Sequence, residues 1–469
     1  MPRMITLSRR DLLRGSLAAP AARAQAAPRP NILFILADDM GWGDPSCYGN
    51  PRIKTPHLDR LAAGGTLFTQ FYVNGSVCSP TRSAFMTGMF PARNRMHGHL
   101  ATEEQNKKRA MPNFLDPARP TIAAALQTAG YRTAHFGKWH LGHGPGAQLP
   151  DRYGFTEYKS VTSNETRFVE NAPGFRAKSS EWIVDHAIDF IRSTPAEQPF
   201  YAQLWTLLPH APLAPTPEQL APFQNQQPGP GVPWPGAQQI YNASLRDLDT
   251  QIGRLLAALE KDGRAQSTLI LFSSDNGPED IHITNASHSA FGSPGPFRGR
   301  KRSLYEGGVR VPGIVRWPGH VPAGRVESRA LVSAVDWLPT LAKLTGAPIP
   351  SSASLDGEDV SDILLGASRP RRKPLYWEWR FQVAGYAVNR SPILSMRDGD
   401  WKLLMNPDRS RVELYRIPDD PMEMTNLAPA NPGIVKRMSE KMLAWQKTLP
   451  AGPMDSTAGQ NGWIWPAGR

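Results

Sequence analysis

The sequence predicts an α/β fold: a mixed, mainly parallel central sheet with helices on both faces, plus a smaller C-terminal antiparallel-sheet subdomain with a helix. Three observations carry this. Four short apolar runs read as buried strands. Stretches with apolar residues at helical spacing lie between them. After about residue 370 the texture changes to short strand-like pieces joined by turns. Strands alternating with helices imply a mainly parallel sheet covered on both faces.

The elements follow in order. Asn31 to Ala37 is wholly apolar after its first residue and stops at Asp38-Asp39. Tyr131 to Phe136 runs into Gly137-Lys138-Trp139-His140, and Phe200 to Leu208 into Pro209-His210. Ser267 to Ser274 ends in Asp275-Asn276-Gly277. Helical stretches intervene at Thr121 to Ala129, Ser180 to Ile191 and Tyr241 to Leu259. In such folds ligands bind beyond the carboxyl ends of the strands. All four runs therefore deliver polar residues to one edge of the sheet. Further on, Pro374 to Trp379, Ile393 to Arg397, Trp401 to Leu404 and Val412 to Arg416 read as an antiparallel meander. A helix from about Pro432 to Thr448 follows it.

The 469 residues, 40% of them hydrophobic, suffice for one large core and a smaller unit. The expected divisions are a targeting segment over 1–26, a larger unit over 27–370 that carries the four strand ends, and a C-terminal unit over 371–469. The targeting segment follows from Arg9-Arg10 ahead of a mildly apolar stretch and the small-residue run Ala24-Gln25-Ala26. That order predicts a twin-arginine signal, the twin-arginine export machinery as a partner, and a periplasmic or secreted product. No apolar run is long enough to span a membrane. The formal charge is +12; removal of five arginines and one aspartate with residues 1–26 leaves +8. A basic chain can meet nucleic acid, an acidic polymer or an anionic small substrate. No lysine/arginine helix face with interleaved aromatics is present, which excludes nucleic acid and favours the anionic substrate.

Two adjacent carboxylates at the end of a buried strand repel unless something positive lies between them. Each acid alone could be a turn or cap residue. The second strand with the same ending shifts the balance to a divalent cation, and oxygen ligands favour calcium or magnesium over zinc. With only two cysteines, Cys47 and Cys78, one disulfide is the plain expectation for an exported chain. The surroundings of Cys78 argue against it.

Those surroundings are Cys78-Ser79-Pro80-Thr81-Arg82, followed by Thr87-Gly88. The run resembles the sulfatase signature, and its context matches in order: Asp38-Asp39, then Gly137 to Gly142, then Asp275-Asn276-Gly277, then Lys301 ahead of Tyr305 to Arg310. The C-terminal pieces Arg397 to Lys402 and Leu414 to Leu427 resemble that family's smaller subdomain. The resemblance implies a sulfuric ester hydrolase whose cysteine, here Cys78, becomes formylglycine through a formylglycine-generating enzyme. Its hydrate then attacks sulfur and passes through a covalent sulfated intermediate. The same resemblance implies Asp38, Asp39, Asp275, Asn276 and modified Cys78 as ligands of calcium, with magnesium possible. From the residues alone, a soft thiolate suits a hard oxygen site poorly, and conversion to an oxygen group removes the mismatch. Pro80 fits a helix start, and Arg82 lies one turn from Cys78 on the same face.

Lys138 and His140 stand two apart at a strand end, so extended geometry aims both the same way. The resemblance gives Lys138 contact with the hydrate, His140 the role of base, His210 the leaving oxygen or sulfate, and Lys301 the sulfate. Arg298, Arg300 and Arg302 leave the Lys301 assignment open to a slip of one or two residues. The expected substrate is a sulfated small molecule or sulfated saccharide. Alternatives are a formylglycine-dependent phosphonate monoester or phosphodiester hydrolase, an inactive binder of sulfated polysaccharide, and a disulfide-stapled module. Cys47 reads as a small buried residue or free thiol, Asp336 to Thr340 as structural, and the tail with Trp463 and Trp465 as packing idly. His282 and His288 fit no pattern.

Overall fold

A computed structural model describes residues 29–142, 146–161, 174–225, 235–283, 286 and 288–461. The targeting segment and the tail tryptophans Trp463 and Trp465 lie outside the described residues.

The first apolar run forms strand β1 (Asn31–Ala37), the middle of a nine-stranded sheet. The sheet adds β2 (Thr66–Tyr72), β3 (Arg132–Lys138), β4 (Glu157–Val161), β5 (Phe200–Trp205), β6 (Thr268–Ser274), β7 (Arg310–Arg316), β8 (Arg325–Glu327) and β9 (Val332–Ser333). Their order is β4-β3-β5-β1-β6-β7-β2-β8, with β9 beside β2. β4, β3, β5, β1 and β6 pair in parallel, whereas β7 runs antiparallel to both β6 and β2. The sheet is thus mixed and mainly parallel. All four runs singled out in the sequence lie in its parallel part.

Burial explains why β1 is apolar throughout. Ile32, Phe34 and Leu36 enter one hydrophobic cluster, Leu33, Ile35 and Ala37 the other, so alternate side chains leave opposite faces. The second cluster is closed by the helices Ser179–Ser193 and Pro235–Lys261. The first is closed by the helices Cys78–Thr87 and Ile122–Thr128 and continues into the C-terminal sheet. Truncating Phe34, which packs on Phe85 and Trp205, would cost about 3–5 kcal/mol by the usual core figures.

The C-terminal meander is β10 (Leu375–Glu378), β11 (Leu394–Asp398), β12 (Trp401–Met405) and β13 (Glu413–Arg416), antiparallel in that order. The helix Pro432–Gln446 packs on it through Met438 and Met442. Lys402 of β12 is wholly buried and reaches Glu306 and Glu423, each at 2.9 Å, tying the smaller sheet to the segment that follows Lys301. Asp336 takes Arg371 and caps a short helical turn, in line with a structural role for that run. Among the described residues no helix is long and apolar enough to cross a membrane.

Candidate active site

β1 and β6 pair with Ala37 opposite Ser274, so Asp38-Asp39 and Asp275-Asn276 leave the sheet side by side. Strand alternation would send Asp38 and Asp39 to opposite faces. Asp39 breaks it with a left-handed backbone (φ 64°), which aspartate tolerates better than most residues. The Asp39 amide donates to Asp275 Oδ1 at 3.1 Å, and Asn276 Nδ2 donates to Asp39 Oδ1 at 2.7 Å.

Three cations meet these acids. Lys138 Nζ donates to Asp38 Oδ2 and Lys301 Nζ to Asp39 Oδ2, both at 2.6 Å. Arg82 donates from Nε and Nη2 to Asp275 Oδ2 at 3.0 and 2.7 Å, and from Nη1 to the Lys138 carbonyl at 3.0 Å. Its guanidinium lies 5.1 Å from the centre of the Trp205 ring. All six charged side chains are buried. Burial pushes the Asp38 carboxyl up, but Lys138, His210 and Arg82 outweigh it and hold Asp38 well below the ordinary carboxylate range. Asp275 is pushed up to about 7, by burial first and the charge of Asp38 second.

Cys78 is the first residue of the helix Cys78–Thr87, two residues earlier than a start at Pro80 would give. Pro80 still sits in the first turn, where its missing N–H costs no helical bond. Cys78 is buried, and burial pushes its thiol up to about 12 against the pull of Lys138 and Lys301. An unmodified thiol here is protonated and a weak nucleophile. Both cysteines are free, so the disulfide expectation fails; Cys47 is half-buried. Atoms of Asp38, Asp39, Cys78 and His210 able to ligate a metal all lie within 4.8 Å of one another.

The histidines are placed less simply than the sequence suggests. β3 ends at Lys138, and His140 takes φ 51°, so a turn and not strand alternation relates the two. The expectation of a common direction from extended geometry is corrected on that ground. His140 Nε2 donates to the Leu100 carbonyl at 3.0 Å, which leaves Nδ1 as the basic nitrogen. Burial, with Lys138 nearby, holds His140 well below its usual pKa, hence neutral. His210 stands between the cis peptides Leu208–Pro209 and Ala211–Pro212. Its Nδ1 donates to the Ala211 carbonyl at 2.5 Å and its Nε2 lies 3.8 Å from Asp39 Oδ2. Burial lowers it to about 4 despite Asp38 and Asp39.

The loop beyond β6 explains why Lys301, and not a neighbouring arginine, reaches Asp39. Gly277 approaches the Gly307 carbonyl so closely that a Cβ would come within 1.9 Å of that oxygen. The Lys301 amide donates to the Pro278 carbonyl at 2.9 Å, zipping the two segments together. Arg298 turns away to the Val388 carbonyl and Tyr415, and Arg300 to the carbonyls of Glu279 and Ala290. Arg302 grips Glu279, whose Oε2 also lies 3.5 Å from Lys301 Nζ. Glu279, held down to about 2 because Lys301 and Arg302 outweigh burial, was not legible in the sequence. An acid following Asp275-Asn276-Gly277 is the one signal that could have marked it. His282 bonds Asp280 at 2.7 Å and packs on Tyr386.

The donor set suits a hard cation. Asp38 Oδ1 and Asn276 Oδ1 are buried acceptors to which none of the described residues donates a hydrogen bond, and such atoms ordinarily have a partner. Both are oxygens, as calcium and magnesium require. Asp275 stands outside the tightest group and has both oxygens hydrogen-bonded.

Comparison with known proteins gives the family and the fold. The sulfatase family model matches residues 30–347, and a model described as N-sulphoglucosamine sulphohydrolase, C-terminal, matches 297–448. Arylsulfatase A of Homo sapiens is 36% identical over 410 residues, covering 83% of this chain and 77% of that protein. The crystal structure of Ps i-CgsB in complex with k-i-k-neocarrahexaose aligns with TM-score 0.76 and 26% identity, over 92% of this chain and 96% of that one. A phosphonate monoester hydrolase of Agrobacterium radiobacter shares the fold, with TM-score 0.64 and 22% identity over 89% of this chain and 96% of that one. The residues matched by the first model take in all ten side chains predicted from the sequence, and on these grounds the chain belongs to the sulfatase family, a family of sulfuric ester hydrolases.

Proposed function

We propose that the protein hydrolyses sulfate monoesters at this site, with Cys78 matured to formylglycine and calcium, or magnesium, held by Asp38, Asp39, Asp275 and Asn276. The observation that carries the reading is the pair of buried, donorless oxygens of Asp38 and Asn276 in the site that Cys78 faces. Bound by these residues, the cation would supply Lewis-acid charge toward a sulfate oxygen, and residue 78, once matured, would supply the attacking oxygen.

The remaining work falls to side chains. Residue 78 opens a helix, whose partial positive end favours an oxyanion there. Lys138 and Lys301 each spend one N–H on a carboxylate and keep two donors for sulfate oxygens. Arg82 is committed to Asp275 and the Lys138 carbonyl, so its part is to position those groups; a bond to the hydrate, which its place one turn from Cys78 suggests, would need that fork to rearrange. His140 is neutral and can take a proton at Nδ1. His210 holds its neutral-form proton at Nδ1, and an arriving sulfate would raise its affinity for a second proton at Nε2, ready for the leaving oxygen.

The substrate is read as a sulfated saccharide or other sulfated small molecule, and the location as periplasmic or secreted after twin-arginine export. Turnover of aryl sulfate against aryl phosphonate on one matured preparation tests the reaction. Sulfate preferred by tenfold or more supports sulfate ester hydrolysis; the reverse preference gives the phosphonate reading. No turnover of either, with Cys78 unmodified, gives the inactive binder.

A further inference from the structure

A cavity of about 370 Å³ lies beside the catalytic cluster and is built by both parts of the chain. The helix Glu103–Lys108 and its end contribute Lys108 and Arg109; the segment after β10 contributes Trp379 and Phe381; His99 and Arg302 close the side toward the catalytic residues. The connection is short. Arg302 follows Lys301, its amide donates to the Ser76 carbonyl at 2.8 Å, and its side chain shares Glu279 with Lys301. His99 precedes Leu100, whose carbonyl takes the His140 bond.

The lining is cationic and aromatic. Lys108, Arg109 and Arg302 face a single carboxylate among the described lining residues, Asp455. Burial, then Arg109, lowers His99 to about 3, so it is a neutral group. Arg302 is matched by Glu279 and Lys108 by Glu104, the latter an exposed pair of little strength. Arg109 is different: its Nη1 donates to the His99 carbonyl at 3.3 Å and its guanidinium lies 5.1 Å from the centre of the Phe381 ring. Among the described residues no carboxylate stands within ion-pair distance of it. A half-buried guanidinium kept on a carbonyl and a ring retains donors for an incoming anion. Trp379 and Phe381, with ring centres 5.3 Å apart, offer the apolar wall against which a sugar face packs.

We propose that this cavity is a subsite for a second anionic group, a sulfate or a carboxylate, on a sugar beyond the one that bears the scissile sulfate, with Arg109 as its principal contact. Resting on the sulfate ester reading above, the inference makes the substrate an acidic oligosaccharide and not a small aryl ester. The volume is in the range of small-ligand pockets.

The test uses the matured holoenzyme with 4-nitrophenyl sulfate, which has no second anion, and four competing tetrasaccharides. These are a chondroitin 6-sulfate (uronate and sulfate), a chondroitin (uronate alone), a carrageenan (sulfate alone) and a neutral agarose fragment. At least one acidic tetrasaccharide should inhibit about tenfold more tightly than the neutral one, and the uronate-only and sulfate-only arms identify the anion. Arg109→Ala should weaken that inhibition about tenfold, and Arg109→Lys less, with kcat and KM for 4-nitrophenyl sulfate unchanged. Lys108→Ala, on an exposed helix position, supplies a second variant that will fold and should weaken it by a smaller factor. Equal inhibition by the neutral fragment, unchanged inhibition in Arg109→Ala, or an equal fall in 4-nitrophenyl sulfate turnover overturns the proposal. Absence of 4-nitrophenyl sulfate turnover in the parent instead defeats the sulfate ester reading, and calorimetry with the same tetrasaccharides then decides the subsite by itself.

Discussion

Arg82 and Asp275 form a wholly buried pair in which two N–H groups of one guanidinium converge on a single carboxylate oxygen, Oδ2. The other Asp275 oxygen accepts the Asp39 amide. The two residues come from the helix Cys78–Thr87 and the segment that follows β6, and their contact fixes that helix against the carboxyl end of β6.

Arg82→Lys should therefore damage both fold and function. Lysine cannot supply the fork, and removing one partner of a buried pair typically costs about 3–5 kcal/mol. Urea unfolding should show that loss, and aryl sulfate turnover should fall at least a hundredfold. A variant with parental stability would show that Asp275 does not depend on the guanidinium.

Chelation should remove activity and lower the thermal midpoint together, because the cation is expected to bind the folded state alone. Calcium returned in increasing amounts should raise the midpoint progressively. The fold should survive stripping, since Lys138, Lys301 and Arg82 already neutralise the three carboxylates. Scanning calorimetry at several calcium concentrations checks this; an unchanged midpoint contradicts a structural contribution from the ion.

His135 makes the fold sensitive to acid. It is buried among Trp139, Phe155 and Trp205, and burial, with Arg82, lowers it to about 3. Above an unfolded pKa near 6.5 both states are neutral; below it only the unfolded chain takes the proton, so stability falls as pH drops toward 3. Between pH 6.5 and 5 this one group should cost about 2 kcal/mol. His135→Phe should lose some stability at pH 7.5 yet narrow its deficit by about that amount at pH 5. Denaturant midpoints at the two pH values measure it, and parallel curves would refute it.

Lys402→Met should loosen the smaller sheet from the catalytic segment. Glu306 and Glu423 would lose their common cation in a wholly buried setting, at a cost of about 3–5 kcal/mol. Burial pushes Glu423 up to about 7 even with Lys402 present, so in the variant it should be protonated at neutral pH. Unfolding measured by tryptophan fluorescence should show the loss; a parental midpoint would contradict it.

The sequence made the parallel half of the sheet legible because strands buried on both faces read as unbroken apolar runs, and Asp38, His210 and Asp275 mark where the apolar runs give way to polar residues. β2 was not legible, since Thr69 and Gln70 interrupt its pattern, and β7 carries Pro312 within it. The antiparallel pairing of β7 is a tertiary fact with no local signal. The same holds for the site. Asp38, Asp39, Asp275, Asn276 and Lys301 stand where strand ends and one lysine motif put them. The turn at His140 depends on a left-handed backbone no residue type announces, and Glu279, Arg302 and Arg109 acquire meaning only through what folds beside them.

On the proposed mechanism, residue 78 works as an aldehyde hydrate and not as a thiol. The most direct measurement is the mass of the tryptic peptide containing residue 78, taken from a preparation of known aryl sulfatase activity. The peptide should be lighter by the difference between CH₂–SH and CHO, in proportion to activity across preparations, and Cys78→Ala should be inactive with a nearly parental thermal midpoint. A fully active sample carrying an intact thiol at Cys78 would contradict it.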